Sequence, residues 1–317
     1  MPESLSIPAI KTEGLCKDYR IGFWRQRRRV LHALDLTVEA GQTFGYLGPN
    51  GAGKTTTLKI LLGLVRATAG RAWLQGQEIG NASVRATVGF LPESPSFYDY
   101  LTGEEFLTFS ARLAGLSRQD AREQIPALLH LVGLMDSGRL QLRKYSKGML
   151  QRIGLANALL GDPRLVILDE PMSGLDPIGR KEVRDIILRL REQGRTVFFS
   201  SHIIPDVEMI CDQVGILLGG RLVRVGRLDE LLGTEVESIE VTAVGLPPTA
   251  LGELGDLALA PPLIRGDRTL FRLRGEAEVD KLLRRTLEVG GRIAAVTPQK
   301  RNLEELFLAE VRGGAKS

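Results

Sequence analysis

Cysteine is nearly absent from this sequence. Cys16 and Cys211 are the only two, too few and too far apart for a disulfide scaffold, which fits a reducing compartment. No stretch approaches the roughly 18 consecutive apolar residues of a membrane-crossing helix. The opening MPESLSIPAIKTEG lacks the apolar core of a signal peptide. A broad surplus of charge is missing too. The net charge is +4, and residues 1–30 account for it with seven Lys/Arg against three Asp/Glu. The rest of the chain is neutral overall, which argues against a broad basic face for nucleic acid, since duplex affinity comes mainly from many phosphate contacts.

What is present is a 317-residue chain with 43% hydrophobic and 25% charged residues, the composition of a globular protein with room for two domains. Its organising stretch is GPNGAGKTTT at 48–57, after a short strand expected over Thr43–Leu47. The form GxxxxGK(S/T) is met by Gly48, Gly53, Lys54 and Thr55. Glycines let successive N–H groups turn toward phosphate oxygens without a Cβ in the way. The helix that starts near Lys54 adds unpaired N–H groups and the positive end of its dipole. Gly48, Pro49, Asn50, Gly51, Ala52, Gly53, Lys54, Thr55 and Thr56 are therefore the candidate cradle of a nucleoside triphosphate. Lys54 can reach the β- and γ-phosphates, and the Thr55 hydroxyl can join a Mg²⁺ shell.

Residues 11–20 and 30–39 read as two short strands. Between them lies IGFWRQRRR. Phe23 and Trp24 beside Arg25, Arg27, Arg28 and Arg29 can touch an anionic lipid surface or belong to a solvated hairpin loop packed back on the sheet. Tyr19, just ahead of the P-loop strand, can stack on a nucleotide base or serve as an ordinary tyrosine. The P-loop helix is expected over Thr55–Val65, followed by a turn-rich hairpin and a strand over Thr87–Leu91. Pro92 and Pro95 then break regular structure. Residues 102–134 read as helical, with Phe106, Phe109, Leu113, Ile125, Leu128 and Leu129 as apolar positions.

Ser146 is a plausible cap for a helix through residue 160. Leu165–Leu168 is a four-residue apolar run of parallel-sheet type. It delivers Asp169 and Glu170 to the strand end where open α/β sheets bind ligands. A helix over Gly179–Glu192 leads to a strand that brings His202 to the same edge. This alternation predicts an α/β core with a mostly parallel sheet. After residue 230, strands alternate with helical stretches, and PPTALGELGDLALAPP reads as a loop. The chain thus divides into a nucleotide-binding domain over 1–230, with a helical subdomain at about 96–160, and a small α+β accessory domain over 231–317, a candidate for docking, regulation or dimerisation.

Asp169 is placed to hold Mg²⁺ directly or through water, opposite Thr55. Glu170 can take a proton from the water that attacks the γ-phosphorus. From spacing alone, His202 can donate to the γ-phosphate or be structural.

Together these motifs resemble the nucleotide-binding subunit of an ABC transporter, over roughly residues 11–230. YSKGM at 145–149 stands where the family has its LSGGQ signature. LVILDEP at 165–171 matches the strand with the magnesium aspartate and catalytic glutamate, SGLD at 173–176 the D-loop, His202 the switch histidine, and Tyr19 the adenine-stacking aromatic. The resemblance implies a P-loop NTPase core of ABC type and a head-to-tail homodimer that sandwiches two ATP molecules. In it Ser146 and Gly148 would reach the γ-phosphate of ATP held by the opposite subunit, and Asp176 would lie at the interface. Lys147, in place of the usual glycine, adds a cation that strengthens closure or points to solvent. Glu93 stands where many members have a glutamine that senses Mg²⁺ and the membrane partner. It remains an oxygen ligand but cannot donate a hydrogen bond while ionised.

The segment PESPSFYDYLTGEEFL and the terminal NLEELFLAEV resemble exporters of ABC-2 type, in which ATPase and permease are separate chains. Residues Phe97–Thr102 would then lie near the groove for the permease, or simply pack the helical subdomain. The expected setting is peripheral, on the cytoplasmic side of the inner membrane, with a separate transmembrane permease and no nucleic acid. A soluble ABC ATPase acting on DNA or ribosomes is the alternative, disfavoured by a single P-loop and a neutral body. A regulatory nucleotide-binding module without turnover would leave Glu170 idle.

Overall fold

The computed structural model describes residues 7–22, 26–233, 236–300 and 302–314. Two compact units divide the chain: residues 1–228 with 310–317, and residues 229–309.

In the first unit, β1 (Ile10–Ile21) and β2 (Gln26–Val38) form a long antiparallel hairpin. Arg27, Arg28 and Arg29 are strand residues here, and not part of a loop. Phe23, Trp24 and Arg25 lie outside the described residues. β3 (Thr43–Leu47) leads into α1 (Lys54–Leu61). This helix stops four residues before the expected Val65, because Gly63 turns the backbone to φ +65° and the amides of Leu64 and Val65 both donate to the Lys59 carbonyl. β4 (Ala69–Leu74) and β5 (Gln77–Glu78) form a hairpin, and β4 pairs with β1. The short α2 (Ala82–Arg85) precedes β6 (Val88–Leu91).

The stretch expected to be helical from 102 to 134 is two helices, α3 (Gly103–Leu113) and α4 (Arg118–Leu131). A reciprocal capping box between Thr102 and Glu105 starts the first, and Ser117 caps the second. Phe106, Leu107 and Ala111 face inward, whereas Phe109 and Leu113 are exposed. Of the expected apolar positions, Phe106, Ile125 and Leu129 are thus buried, and Phe109 and Leu113 are not. α5 (Lys147–Ala158) begins at Ser146, whose hydroxyl accepts from the Met149 amide. Its far end presses onto β6: a Cβ at Gly89 would sit 2.1 Å from the Ala158 carbonyl oxygen.

β7 (Leu165–Leu168), α6 (Pro177–Glu192), β8 (Thr196–Ser201) and α7 (Ile204–Ile210) complete the alternation. β9 (Gln213–Leu218) and β10 (Arg221–Arg227) follow as an antiparallel pair that the sequence reading did not separate from the end of the domain. The six-stranded sheet runs β10-β9-β3-β8-β7-β6, parallel from β9 to β6. Every residue of β3, β7 and β8 is buried, as expected for strands covered on both faces. Their C-terminal ends converge on one edge, the place where such sheets bind ligands.

The short α8 (Leu228–Leu232) leads to the second unit. There β11 (Val236–Val244), α9 (Pro248–Gly255), β12 (Leu263–Arg265), β13 (Arg268–Leu273), α10 (Glu276–Glu288), β14 (Arg292–Lys300) and α11 (Leu303–Gly314) follow in order. The antiparallel sheet has the order β12-β13-β11-β14. Ile239, Val241, Phe271, Leu254 and Leu282 build a separate core. α9 occupies part of the stretch expected to be a loop. Pro248 opens it and Ala250 and Leu254, one turn apart, are buried; the interspersed glycines hid this short period.

Candidate functional site

The P-loop follows β3 directly, and the Gly48 amide donates to the Ser201 carbonyl at 3.1 Å, which ties the loop to the end of β8. Gly53 has φ +111°, and a Cβ there would come within 2.8 Å of Leu31, so only glycine fits where the chain enters α1. Lys54 folds back over the loop. Its Nζ donates to the Gly48 carbonyl at 2.7 Å and the Pro49 carbonyl at 3.2 Å, and lies 3.0 Å from Glu170 Oε1.

The two carboxylates leave β7 in different settings. Asp169 Oδ1 accepts from the Ser200 hydroxyl at 2.6 Å and the Thr55 hydroxyl at 3.2 Å. Ser200 Oγ in turn accepts from the Glu170 amide at 2.9 Å. Glu170 holds φ +49°, a left-handed conformation that costs a non-glycine residue roughly 1–3 kcal/mol. Its Oε2 lies 2.8 Å from His202 Nδ1. Its Oε1 is buried, faces Lys54, and has no hydrogen-bond partner in hydrogen-bond geometry. The Lys54 ammonium offsets the burial of this oxygen, which keeps a lone pair that can accept from a water or ligand hydroxyl.

A cavity of about 690 Å³ opens over the loop, lined by Tyr19, Asn50, Gly51, Gly53, Lys54, Thr55, Thr56, Glu93 and Glu170 among others. Glu93 is exposed at this cavity. Tyr19 is half-buried, with Lys17 Nζ 4.8 Å from its ring centroid. Gly48, Pro49 and Ala52 form the loop behind the lining, and Asp169 is buried beneath it. The oxygen donors Thr55 and Asp169 suit a hard divalent cation. Among the described residues no cluster of three or more His, Cys, Asp or Glu forms a ready-made cage, so an ion here would depend on phosphate oxygens as well.

Ser146, Lys147, Gly148 and Asp176 do not join this cavity. They line a second hollow of about 380 Å³ with Gly174 and Gly179. Asp176 caps α6 by accepting from the Gly179 amide at 3.0 Å. Lys147 is exposed, with its Nζ lying over Gly174, where a Cβ would sit 2.1 Å from it. The expected site residues therefore fall in two groups on one chain.

Ser200 is a functional candidate that sequence reasoning missed. Its hydroxyl links Asp169 to the Glu170 backbone, and the only signal was its place two residues before His202. Arg20 and Arg28 also line the nucleotide cavity.

The family described as "ABC transporter" matches residues 31–173. The chain is 45% identical over 307 residues to an uncharacterized ABC transporter ATP-binding protein of Synechocystis, covering 96% of this chain and 84% of that one. It is 40% identical over 225 residues to the bacitracin transport ATP-binding protein BcrA of Bacillus licheniformis, covering 70% of this chain and 71% of the relative. Its fold matches a dimeric post-hydrolysis state of an ATP-binding cassette bound to ADP and Pi, with a TM-score of 0.63 and 22% identity over 69% of this chain and 98% of the other.

Proposed function

The chain belongs to the family of ABC transporter ATP-binding subunits, and from that premise we propose that it hydrolyses MgATP as a head-to-tail dimer to drive a separate membrane permease in the export direction. The observation that carries this reading is the meeting of Lys54, Thr55, Asp169 and Glu170 at one sheet edge.

Without ligand, Lys54 is neutralised by Glu170 and by loop carbonyls. ATP offers the ammonium a stronger set of partners in its β- and γ-phosphates, while loop amides and the start of α1 receive the remaining oxygens. The Thr55 hydroxyl and the Asp169 carboxylate would hold Mg²⁺, with Glu93 within reach of the same cavity. Bound there, Mg²⁺ would supply positive charge against the triphosphate.

Release of Lys54 leaves Glu170 Oε1 free to accept a proton from water. The water oxygen bonds to the γ-phosphorus as the bond from that phosphorus to the bridging oxygen breaks, giving ADP and phosphate. His202 holds Oε2 of the same carboxylate and so orients the base. With Nδ1 engaged there, Nε2 is the atom left to meet the γ-phosphate. Ser146 and Gly148, at the N-terminus of α5, would approach that phosphate from the opposite protomer, which accounts for their separation from the P-loop cavity on one chain.

The relative named for bacitracin transport supports a transport role. Among the described residues no helix is long and apolar enough to cross a membrane. The proposed setting is peripheral, at the cytoplasmic side of the inner membrane, against a permease on another chain. Tyr98, Tyr100 and Phe109 form an exposed aromatic group on the helical subdomain, with ring centroids 5.5 and 6.0 Å apart. Phe97 instead turns inward onto Phe106. The exposed group is suited to the permease contact. We assign residues 1–230 to the nucleotide-binding domain and 231–317 to an accessory domain for docking, regulation or dimerisation.

The test is ATP binding and turnover in purified protein. Lys54→Ala should lose affinity for ATP and nearly all turnover. Wild-type affinity and rate in that variant would refute the nucleotide-site assignment.

A further inference from the structure

The β1–β2 hairpin carries more cation than its own structure uses. In register, Asp18 faces Arg29, Tyr19 faces Arg28 and Arg20 faces Arg27. Residues directly opposite share a face of the sheet, and neighbours alternate between faces. Asp18 holds both Arg27 and Arg29, at 3.2 and 2.7 Å. Arg28 points to the other face with Tyr19, forms no ion pair among the described residues, and lines the cavity above Lys54 and Thr55.

Its height along the cavity follows from the strand. Two residues further on, the Val30 carbonyl lies over Gly53: a Cβ at Gly53 would come within 3.2 Å of that oxygen. β2 thus runs from the Tyr19 end of the cavity to the P-loop end, and two residues of strand span about 6.6 Å. An arginine side chain is about as long, so the Arg28 guanidinium can reach the interval between the aromatic ring and the loop. Lys17 covers one face of Tyr19, which leaves the opposite face for a base.

We propose that Arg28 is a further nucleotide-binding residue, its guanidinium pairing with the α-phosphate of a nucleotide whose base stacks on Tyr19 and whose outer phosphates lie on Lys54. This rests on the nucleotide-site reading given above. A planar fork of donors matches phosphate oxygens in a way a solvated lysine does not. Asp18 pairs with both flanking arginines, so Arg28 is the arginine of this run left for a ligand, and it lines the cavity together with Arg20. Because the α-phosphate is common to ATP and ADP, Arg28 should favour both alike, whereas Lys54 distinguishes them by the outer phosphates.

The experiment is calorimetric titration of the full chain and its variants with ATP and with ADP, in magnesium, at two salt concentrations. Arg28→Ala should raise both dissociation constants by the same factor, about tenfold, with a smaller factor at high salt. Arg28→Lys should recover part of the loss, and Arg27→Ala should stay within about twofold of wild type on the same affinity scale. The proposal is overturned if Arg28→Ala binds both nucleotides like wild type, if it loses affinity for ATP alone, or if Arg27→Ala loses as much. Lys54→Ala serves as the separate control. If it weakens ATP while Arg28→Ala does not, only the Arg28 assignment fails; if it too binds ATP normally, the nucleotide site itself is misplaced.

Discussion

Glu170 sits in a left-handed backbone conformation with a buried carboxylate held between Lys54 and His202, and the strained backbone points to a residue held for chemistry at some cost to stability. Glu170→Gln keeps the size and removes the base. It should preserve ATP binding and cut turnover by about 100-fold or more, measured as phosphate release at saturating ATP; wild-type hydrolysis would remove Glu170 from the base role. Ser200→Ala takes a hydroxyl from Asp169 and an acceptor from the Glu170 amide. Outer partners of this kind typically change metal affinity by roughly 10–100-fold, so the magnesium concentration for half-maximal activity should rise by about tenfold. An unchanged magnesium dependence would mean Thr55 alone keeps Asp169 aimed. Lys54, Thr55, Asp169 and Glu170 were legible in the sequence because a phosphate cradle and a buried strand impose fixed spacings. Ser200 was not, because a serine on a buried strand leaves no pattern until its partners are known. Arg28 was hidden differently, inside a run whose neighbours both pair with Asp18.

Among the elements, the parallel strands were the most legible, since burial on both faces makes β7 a plain apolar run. The helix start at Ser146 was readable from its cap, whereas the starts capped by Ser117 and Asp176 were not. Ends and stripes were harder. α1 ends at a glycine turn inside what looked like continued helix, and Phe109 and Leu113 keep a helical spacing while facing outward. α9 was obscured because glycines and prolines outnumber its buried positions. The contact between α5 and β6 needs the third dimension altogether: Gly89 is small because the Ala158 carbonyl occupies the space of a side chain. Gly89→Ala should therefore destabilise the first unit by about 1–3 kcal/mol, read from chemical denaturation. Stability equal to wild type would mean that α5 can shift freely away from the sheet.

For the whole molecule, the two separate groups of site residues on one chain motivate the proposal that two copies share the reaction. Lys54 and Glu170 line the P-loop cavity, with His202 against Glu170, and Ser146, Gly148 and Asp176 line the separate hollow. Replacing Tyr98 and Tyr100 by serine should reduce recovery of the permease with this chain while ATP affinity stays the same; unchanged recovery would move the membrane contact elsewhere. The most direct test of the shared site is light scattering of the Glu170→Gln variant with and without MgATP, alone and in complex with its permease. The account predicts an ATP-dependent closed pair at twice the monomer mass, abolished when Ser146→Arg blocks the start of α5. Nucleotide-binding surfaces that stay apart with ATP bound, in the permease complex as well as alone, would contradict it.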